Sequence, residues 1–391
     1  MAGVISRGIQ GPIIREGDDI VDIVVKSVYA SEKEDNYSLK NKDVIAVTES
    51  VVARAQGNYV TVDHVAQDIR NKFGTKSVGL VFPILSRNRF SMCLKGIARA
   101  VDEVVILFSY PNDEVGNPLM AREAYVKNRY SGVYEFNEAD FVATFGSPVH
   151  PFTGVNYLDF YREVIESEGA KATFLFSNDC RYIASVCDNI LCCDIHTRNE
   201  SRDTLAAMGK TVYTLADVMS APIDGSGYHD KYGMLGSNKA TEEKLKLFPR
   251  DCQPVVDGIQ KRIKEERGLD VEVMVYGDGA FKDPVGGIWE LADPVVSPAY
   301  TQGLAGRPNE LKLKFLADND FADLSGDALK AAIKDEIKAK KSDLVGDMSS
   351  EGTTPRQYTD LLGSLCDLTS GSGDKGTPFI VIQNYFTNYA E

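Results

Sequence analysis

The chain lacks most of the patterns by which nucleotide- and metal-dependent proteins declare themselves. It has no Gly-x4-Gly-Lys-Ser/Thr, which excludes a Walker-type phosphate loop. No Gly-x-Gly-x-x-Gly follows a strand, so the close backbone approach used by nicotinamide and flavin pyrophosphates is missing. Histidine is scarce: His64, His150, His196 and His229 are all there are, and none sits in a His-Glu-x-x-His pattern. That speaks against a histidine-built zinc hydrolase. No run of about 18 apolar residues occurs, so no membrane span is expected. The first residues, Met1-Ala2-Gly3-Val4-Ile5-Ser6-Arg7, lack a basic stretch followed by an apolar core, and a cytoplasmic protein is expected. Positive charge is outnumbered, 43 Lys and Arg against 57 Asp and Glu, a net charge of −14. Nucleic acid is therefore excluded as the main partner, and anionic ligands require local basic pockets.

What is present describes a soluble globular chain. Its 391 residues are 43% hydrophobic and 26% charged, enough for two or three lobes with a sizeable core. The seven cysteines are odd in number and scattered, which suits a reducing compartment better than a disulfide framework. Cys180, Cys187, Cys192 and Cys193 lie near His196, but adjacent cysteines in a strand point to opposite faces. They read as buried thiols rather than as a zinc set.

The middle of the chain alternates strands and helices. Strands are expected at Val104 to Phe108, Ala172 to Phe176, Asn189 to Ile195 and Thr211 to Leu215. Helices are expected at Tyr157 to Glu168, from an Asp179 cap to Val186, and from Ser201 to Met208. Such alternation implies βαβ crossovers and a largely parallel sheet, an α/β lobe over 79–230. Two features of this lobe invite chemistry. Arg87 and Arg89, in Ser86-Arg87-Asn88-Arg89-Phe90-Ser91, precede a helix with Lys95 and Arg99. The cluster is either a phosphate or carboxylate site or a solvated basic face. Asp113 and Glu114, in Tyr110-Pro111-Asn112-Asp113-Glu114, end a strand where acids can hold a hard cation, although a plain turn explains the same letters.

The ends of the chain carry a second set of signals. Arg15-Glu16-Gly17-Asp18-Asp19-Ile20 lets Asp18 or Asp19 cap a helix whose apolar face is Ile20, Ile23, Val24 and Ser27. The strand Val44 to Val47 runs into Thr48-Glu49-Ser50, then Ala53-Arg54-Ala55-Gln56-Gly57. A helix from Pro254 to Arg267, with Ile259 and Ile263 four apart, is closed by Gly268 and followed by a strand Val271 to Val275. That strand leads into Tyr276-Gly277-Asp278-Gly279-Ala280-Phe281-Lys282-Asp283-Pro284, where glycines flank an accessible carboxylate. A helix from Ala328 to Lys341 turns Leu329, Ile333 and Ile337 inward. Late in the chain, Ser370-Gly371-Ser372-Gly373-Asp374-Lys375-Gly376-Thr377-Pro378 leads into the strand Phe379 to Ile382.

In order and spacing these motifs resemble the γ-glutamyl ligases of the deazaflavin coenzyme F-420. Ala53-Arg54-Ala55-Gln56-Gly57 stands where that family has Ser-Lys-Ala-Glu-Gly, and Gly233-Met234-Leu235-Gly236-Ser237-Asn238 with Phe248-Pro249 stands where it has Gly-Ile-Asp-Ala-Ser-Asn. The resemblance covers roughly 1–65 and 230–391 and is thin between them. It implies a mixed α/β (α+β) ligase core formed by 1–78 and 231–391, with 79–230 as an inserted lobe. It implies amide formation through an acyl phosphate, with GTP as co-substrate, Mg²⁺ or Mn²⁺ as cation, and L-glutamate and a small carboxylate acceptor as partners. A homodimer is expected.

Carried onto this sequence, the nucleotide falls to Pro12, Ile13, Glu49, Ser50, Asn238, Gly371, Gly373, Asp374, Lys375 and Gly376. Arg54 and Asp278 become the catalytic residues, Arg87, Arg89 and Lys95 the anion or substrate residues, and Asp278, Asp113 and Glu114 the metal acids. One departure is plain. Leu235 takes the place of a family metal aspartate, and leucine cannot ligate a hard cation. Either another acid replaces it, or the acceptor has changed to a folate-like or other small metabolite, or the chain binds a nucleotide or metabolite without catalysis.

Overall fold

The computed structural model describes residues 3–130, 132–279, 293–350, 356–371 and 373–391. Ser372 of the glycine loop and residues 280–284 of the Asp278 motif lie outside the described residues. In chain order the strands are β1 (Ile5–Ile9), β2 (Val44–Thr48), β3 (Tyr59–Thr61), β4 (Ser77–Val81), β5 (Glu103–Phe108), β6 (Phe136–Asn137) and β7 (Lys171–Phe176). They continue with β8 (Asn189–Cys192), β9 (Thr211–Thr214), β10 (Asn238–Thr241), β11 (Lys244–Lys246), β12 (Glu272–Tyr276), β13 (Ala299–Tyr300) and β14 (Phe379–Gln383). The α/β class read from the sequence is the class found.

A five-stranded mixed sheet has the order β1-β14-β2-β12-β13, with β2 and β12 parallel and in register from Val44↔Glu272 to Thr48↔Tyr276. Side chains alternate across it, as a two-residue period demands. Ile45, Val47, Val273 and Val275 pack under the helices Ile20–Glu34 and Gln253–Arg267, on Val24, Val28, Val256, Ile259 and Ile263. Val44, Ala46, Met274 and Tyr276 pack under helix Tyr358–Ser370, on Leu362 and Cys366. Both faces are buried, which is why these strands read as unbroken apolar runs. Asp19 is the cap, accepting from the Asp22 amide at 3.0 Å. The buried stripe then drifts to Val25 and Val28, leaving Ile23 and Ser27 half-buried.

The second sheet runs β6-β7-β5-β4-β8-β9, parallel throughout except for β6. Its parallel strands are wound outward both ways from β4, so the direction of winding reverses between β4 and β8. Helices Val62–Phe73, Phe90–Ala100 and Tyr157–Ser167 cover one face, and Ile183, Cys187 and Leu205 the other. Helix Val62–Phe73 packs in this cluster although it precedes β4, and Leu235, Leu245 and Leu247 enter the same cluster from far along the chain. The helix behind Asp179 is a single 3-10 turn pair, Cys180–Ser185, started by Asp179 accepting from the Arg181 amide. β8 ends at Cys192, short of the expected Ile195, with the Cys193 amide making the last ladder bond to the Val81 carbonyl of β4 (2.8 Å). All seven cysteines are free thiols. A small sheet, β10-β11-β3, joins the two parts. Among the described residues no helix is long and apolar enough to cross a membrane.

Candidate functional site

The carboxyl ends of β2 and β12 lie side by side, and two groups of residues gather there. The first is a cleft of about 330 Å³ lined by Gly11, Pro12, Ile13, Ile14, Thr48, Ser50, Val51, Arg54, Tyr276 and, from the glycine loop, Ser370, Gly371, Gly373, Gly376, Thr377 and Pro378. Gly371, Gly373 and Gly376 have φ of 60°, 87° and 64°, values that strain any residue with a Cβ. The loop is held from both sides. The Gly11 amide donates to the Gly376 carbonyl (3.1 Å) and the Thr48 amide to the Pro378 carbonyl (3.0 Å). Arg54 is exposed on helix Glu49–Ala55 and donates from Nε to the Ile14 carbonyl (3.1 Å), which fixes the guanidinium at the cleft wall. Tyr276 is 2% exposed, and its hydroxyl has no hydrogen-bond partner of good geometry although Ser370 and Thr48 stand alongside. Burial pushes that hydroxyl well above the ordinary tyrosine range.

The second group is a charge cluster, buried at Glu49, Lys246 and Asp293 and half-buried at Arg89 and Asp278. Arg89 donates from Nη1 to Asp293 Oδ1 (2.6 Å) and from Nη2 to Asp278 Oδ2 (2.5 Å). The Asp278 amide donates to the other Asp293 oxygen (3.0 Å). Beside them Lys246 reaches both Glu49 oxygens, at 3.2 and 2.9 Å. Burial alone would lower the Arg89 pKa, but Asp293 and Asp278 hold the guanidinium charged, above its ordinary value. Burial raises the Glu49 carboxyl against the pull of Lys246.

Seven residues expected at a nucleotide site or in catalysis thus line one cleft: Pro12, Ile13, Ser50, Arg54, Gly371, Gly373 and Gly376. Asp374 and Lys375 are exposed and are not among the cleft's lining residues, and the Lys375 side chain lies against Gly371. Glu49 turns away from the cleft to Lys246, and Asn238 begins β10 opposite Lys246. Arg87, Arg89 and Lys95 do not converge. Arg87 is exposed, while Lys95 is one helical turn and more further on and joins Arg99 in a network with Glu168 and Glu243.

The three proposed metal acids serve separate networks. Asp113 accepts from the amides of Leu85, Val115 and Asn117 and from the Asn117 side chain, and burial lifts its carboxyl to about 6. Glu114 accepts from the amides of Ile195 and His196. Asp278 is held by Arg89. Leu235 is buried in an apolar pocket with Ile84, Phe90, Cys193 and Leu215. Among the described residues no group of three or more His, Cys, Asp or Glu side chains is arranged to hold a metal ion. Among the described residues the three acids that the resemblance assigned to Mg²⁺ or Mn²⁺, Asp113, Glu114 and Asp278, do not come together around one ion position.

Sequence reasoning passed over Lys246 and Asp293. Each is a lone charge, the first inside Leu245-Lys246-Leu247-Phe248 and the second before Pro294, and a lone charge in an apolar run signals a buried partner.

Compared with known protein families, residues 8–384 match the F420-0:gamma-glutamyl ligase family. The chain belongs to that family. The match runs through 79–230 as well as through the flanking segments, so the second sheet lies within the span that the γ-glutamyl ligase family covers. No curated protein matches the chain.

Proposed function

We propose that this γ-glutamyl ligase family member joins L-glutamate to a small carboxylate acceptor at the expense of a nucleoside triphosphate, GTP by the family likeness. The observation that supports this most is the convergence of three left-handed glycines, Ser50 and the fixed Arg54 guanidinium on one cleft at the strand ends. Glycines in that conformation let backbone amides approach phosphate, and a planar guanidinium suits a carboxylate or phosphate. A carboxylate is a poor electrophile. In the reaction its oxygen takes the terminal phosphoryl group, the nucleoside diphosphate leaves, and the glutamate amine then displaces phosphate to form the amide and release a proton. Arg54 and the loop amides stabilise the negative charge that is passed between these groups. The test is phosphate release with GTP, glutamate and a panel of carboxylate acceptors, which should require all three.

A second reading, binding of nucleotide without catalysis, is favoured by Leu235 and by the capture of Asp278 by Arg89. It predicts GTP binding by calorimetry with no phosphate release for any acceptor.

A further inference from the structure

Arg89 does not belong to the sheet whose strand end it serves. It sits in the turn between β4 and helix Phe90–Ala100, at the carboxyl edge of the six-stranded sheet, and reaches across to Asp278 beyond β12 and to Asp293. The two aspartates are arranged around it. Asp293 has a side chain only 1% exposed, and it spans the gap by taking Arg89 on one oxygen and the Asp278 amide on the other. Gly277 makes this possible, because a Cβ there would stand 2.5 Å from Asp293 Oδ2. Gly236, next to Leu235, is pressed against Phe248 and Pro294 in the same way, with 2.7 and 2.8 Å to a Cβ. Leu235 and Arg89 line the same small cavity.

We propose that Arg89 is the resident cation of this strand end, filling the position between Asp278 and Asp293 that a divalent ion would otherwise take. The guanidinium donates to one oxygen of each carboxylate at hydrogen-bond distance, and the Asp278 amide takes the second oxygen of Asp293. Charge follows the same logic. Among the described residues Glu49, Asp278 and Asp293 are three acids against the two cations Arg89 and Lys246, and a further acid at position 235 would widen that excess from one charge to two. Leucine at 235 and arginine at 89 are thus one coupled choice. Its consequence is that the six-stranded sheet supplies a charged group to the site of the five-stranded one, and the Asp278–Asp293 pair excludes divalent cations.

The test is Mn²⁺ titration of the full chain without nucleotide, read as loss of the free-ion paramagnetic resonance signal, so it stands or falls independently of the GTP reading. Wild type and Asp278→Asn should bind Mn²⁺ alike. Arg89→Met, checked for a cooperative thermal transition, should gain one site at least about tenfold tighter than anything in wild type. Asp293→Asn placed in the Arg89→Met chain should remove it. Wild-type Mn²⁺ binding that Asp278→Asn abolishes overturns the proposal, and so does a folded Arg89→Met chain that gains no site. The comparison of wild type with Asp278→Asn needs no Arg89 variant and decides the matter if that variant does not fold.

Discussion

The five-stranded sheet leaves its carboxyl edge open, and the six-stranded sheet fills its own. At the first edge the chain places glycines in left-handed conformations, an exposed Arg54 and a buried Tyr276 hydroxyl without a good partner around a cleft of about 330 Å³. At the second, between β4 and β8 where winding reverses, open α/β sheets hold their ligands. Here the space is about 20 Å³, room for roughly one water, and its walls are apolar apart from Arg89 and Ser237. Glu114 also sits on the amides of Ile195 and His196 at the start of helix Arg198–Ala207, where a ligand anion would go. Strand order therefore makes a crevice available, while side chains decide whether it becomes a site. The α/β lobe read from the sequence has a doubly wound topology, with its own carboxylate beside the strand ends where the winding reverses.

The largest effect that would break this comparison lies at the junction of the two edges. Lys246→Met removes the cation that pairs with Glu49, whose side chain is 6% exposed. A buried charge left alone costs about 3–5 kcal/mol, so the variant should lose that much unfolding free energy in urea. A loss below about 1 kcal/mol would mean that Glu49 is solvated and the cluster is not buried.

Next is a pH dependence confined to the filled edge. Asp194 is fully buried, its Oδ2 accepting from Thr197 (2.6 Å) and Ser201 (3.1 Å) and its Oδ1 unpartnered, and burial lifts it from 3.8 to about 6. The folded state therefore holds this proton more tightly than the unfolded state. The stability it contributes is complete below about pH 4 and is lost as pH rises through about 6. Asp194→Asn keeps the two hydroxyl bonds and cannot ionise. Relative to wild type it should gain roughly 2–3 kcal/mol between pH 4 and 7, measured by urea unfolding at both values. Parallel curves would place Asp194 in contact with water.

At the open edge the effect should fall on binding. Gly373→Val forces a β-branched residue into φ of 87°, and GTP affinity by calorimetry should drop at least about tenfold. Unchanged affinity in a folded variant would remove the loop from the nucleotide site.

Much of this architecture was legible because its signals are local. β2 and β12 announce themselves as short apolar runs, and Asp19 and Gly268 punctuate their helices where the sequence said they would. The cleft was legible through motif order, since Pro12, Ser50, Arg54 and Gly373 come from three distant segments that no spacing rule connects. Partner choice was not legible. Lys95 looked available for an anion until Glu243, far along the chain, claimed it, and Asp113 looked like a cation ligand until four donors closed around it. Charges declare their type in a sequence, but their partners are set by tertiary packing.

The smallest expected effect is also the most direct test of the filled edge. Helix Arg198–Ala207 begins at Thr197, whose side chain makes no cap hydrogen bond to the helix. The amides just ahead of that cap, those of Ile195 and His196, donate to Glu114 on the loop after β5, and the Thr197 hydroxyl donates to the same carboxylate. A carboxylate there gains from the hydrogen bonds and from the positive end of the helix together. Glu114→Gln keeps one acceptor oxygen and the size of the side chain but removes the charge and turns a donor toward donors. It should cost about 1 kcal/mol, seen as a lower urea midpoint with unchanged slope. Raising salt should shrink the difference only slightly, because Glu114 is half-buried and its partners are fixed dipoles rather than mobile charges. A variant as stable as wild type would mean that the Glu114 contact is incidental. The six-stranded sheet would then differ from the five-stranded one only in the size of its crevice.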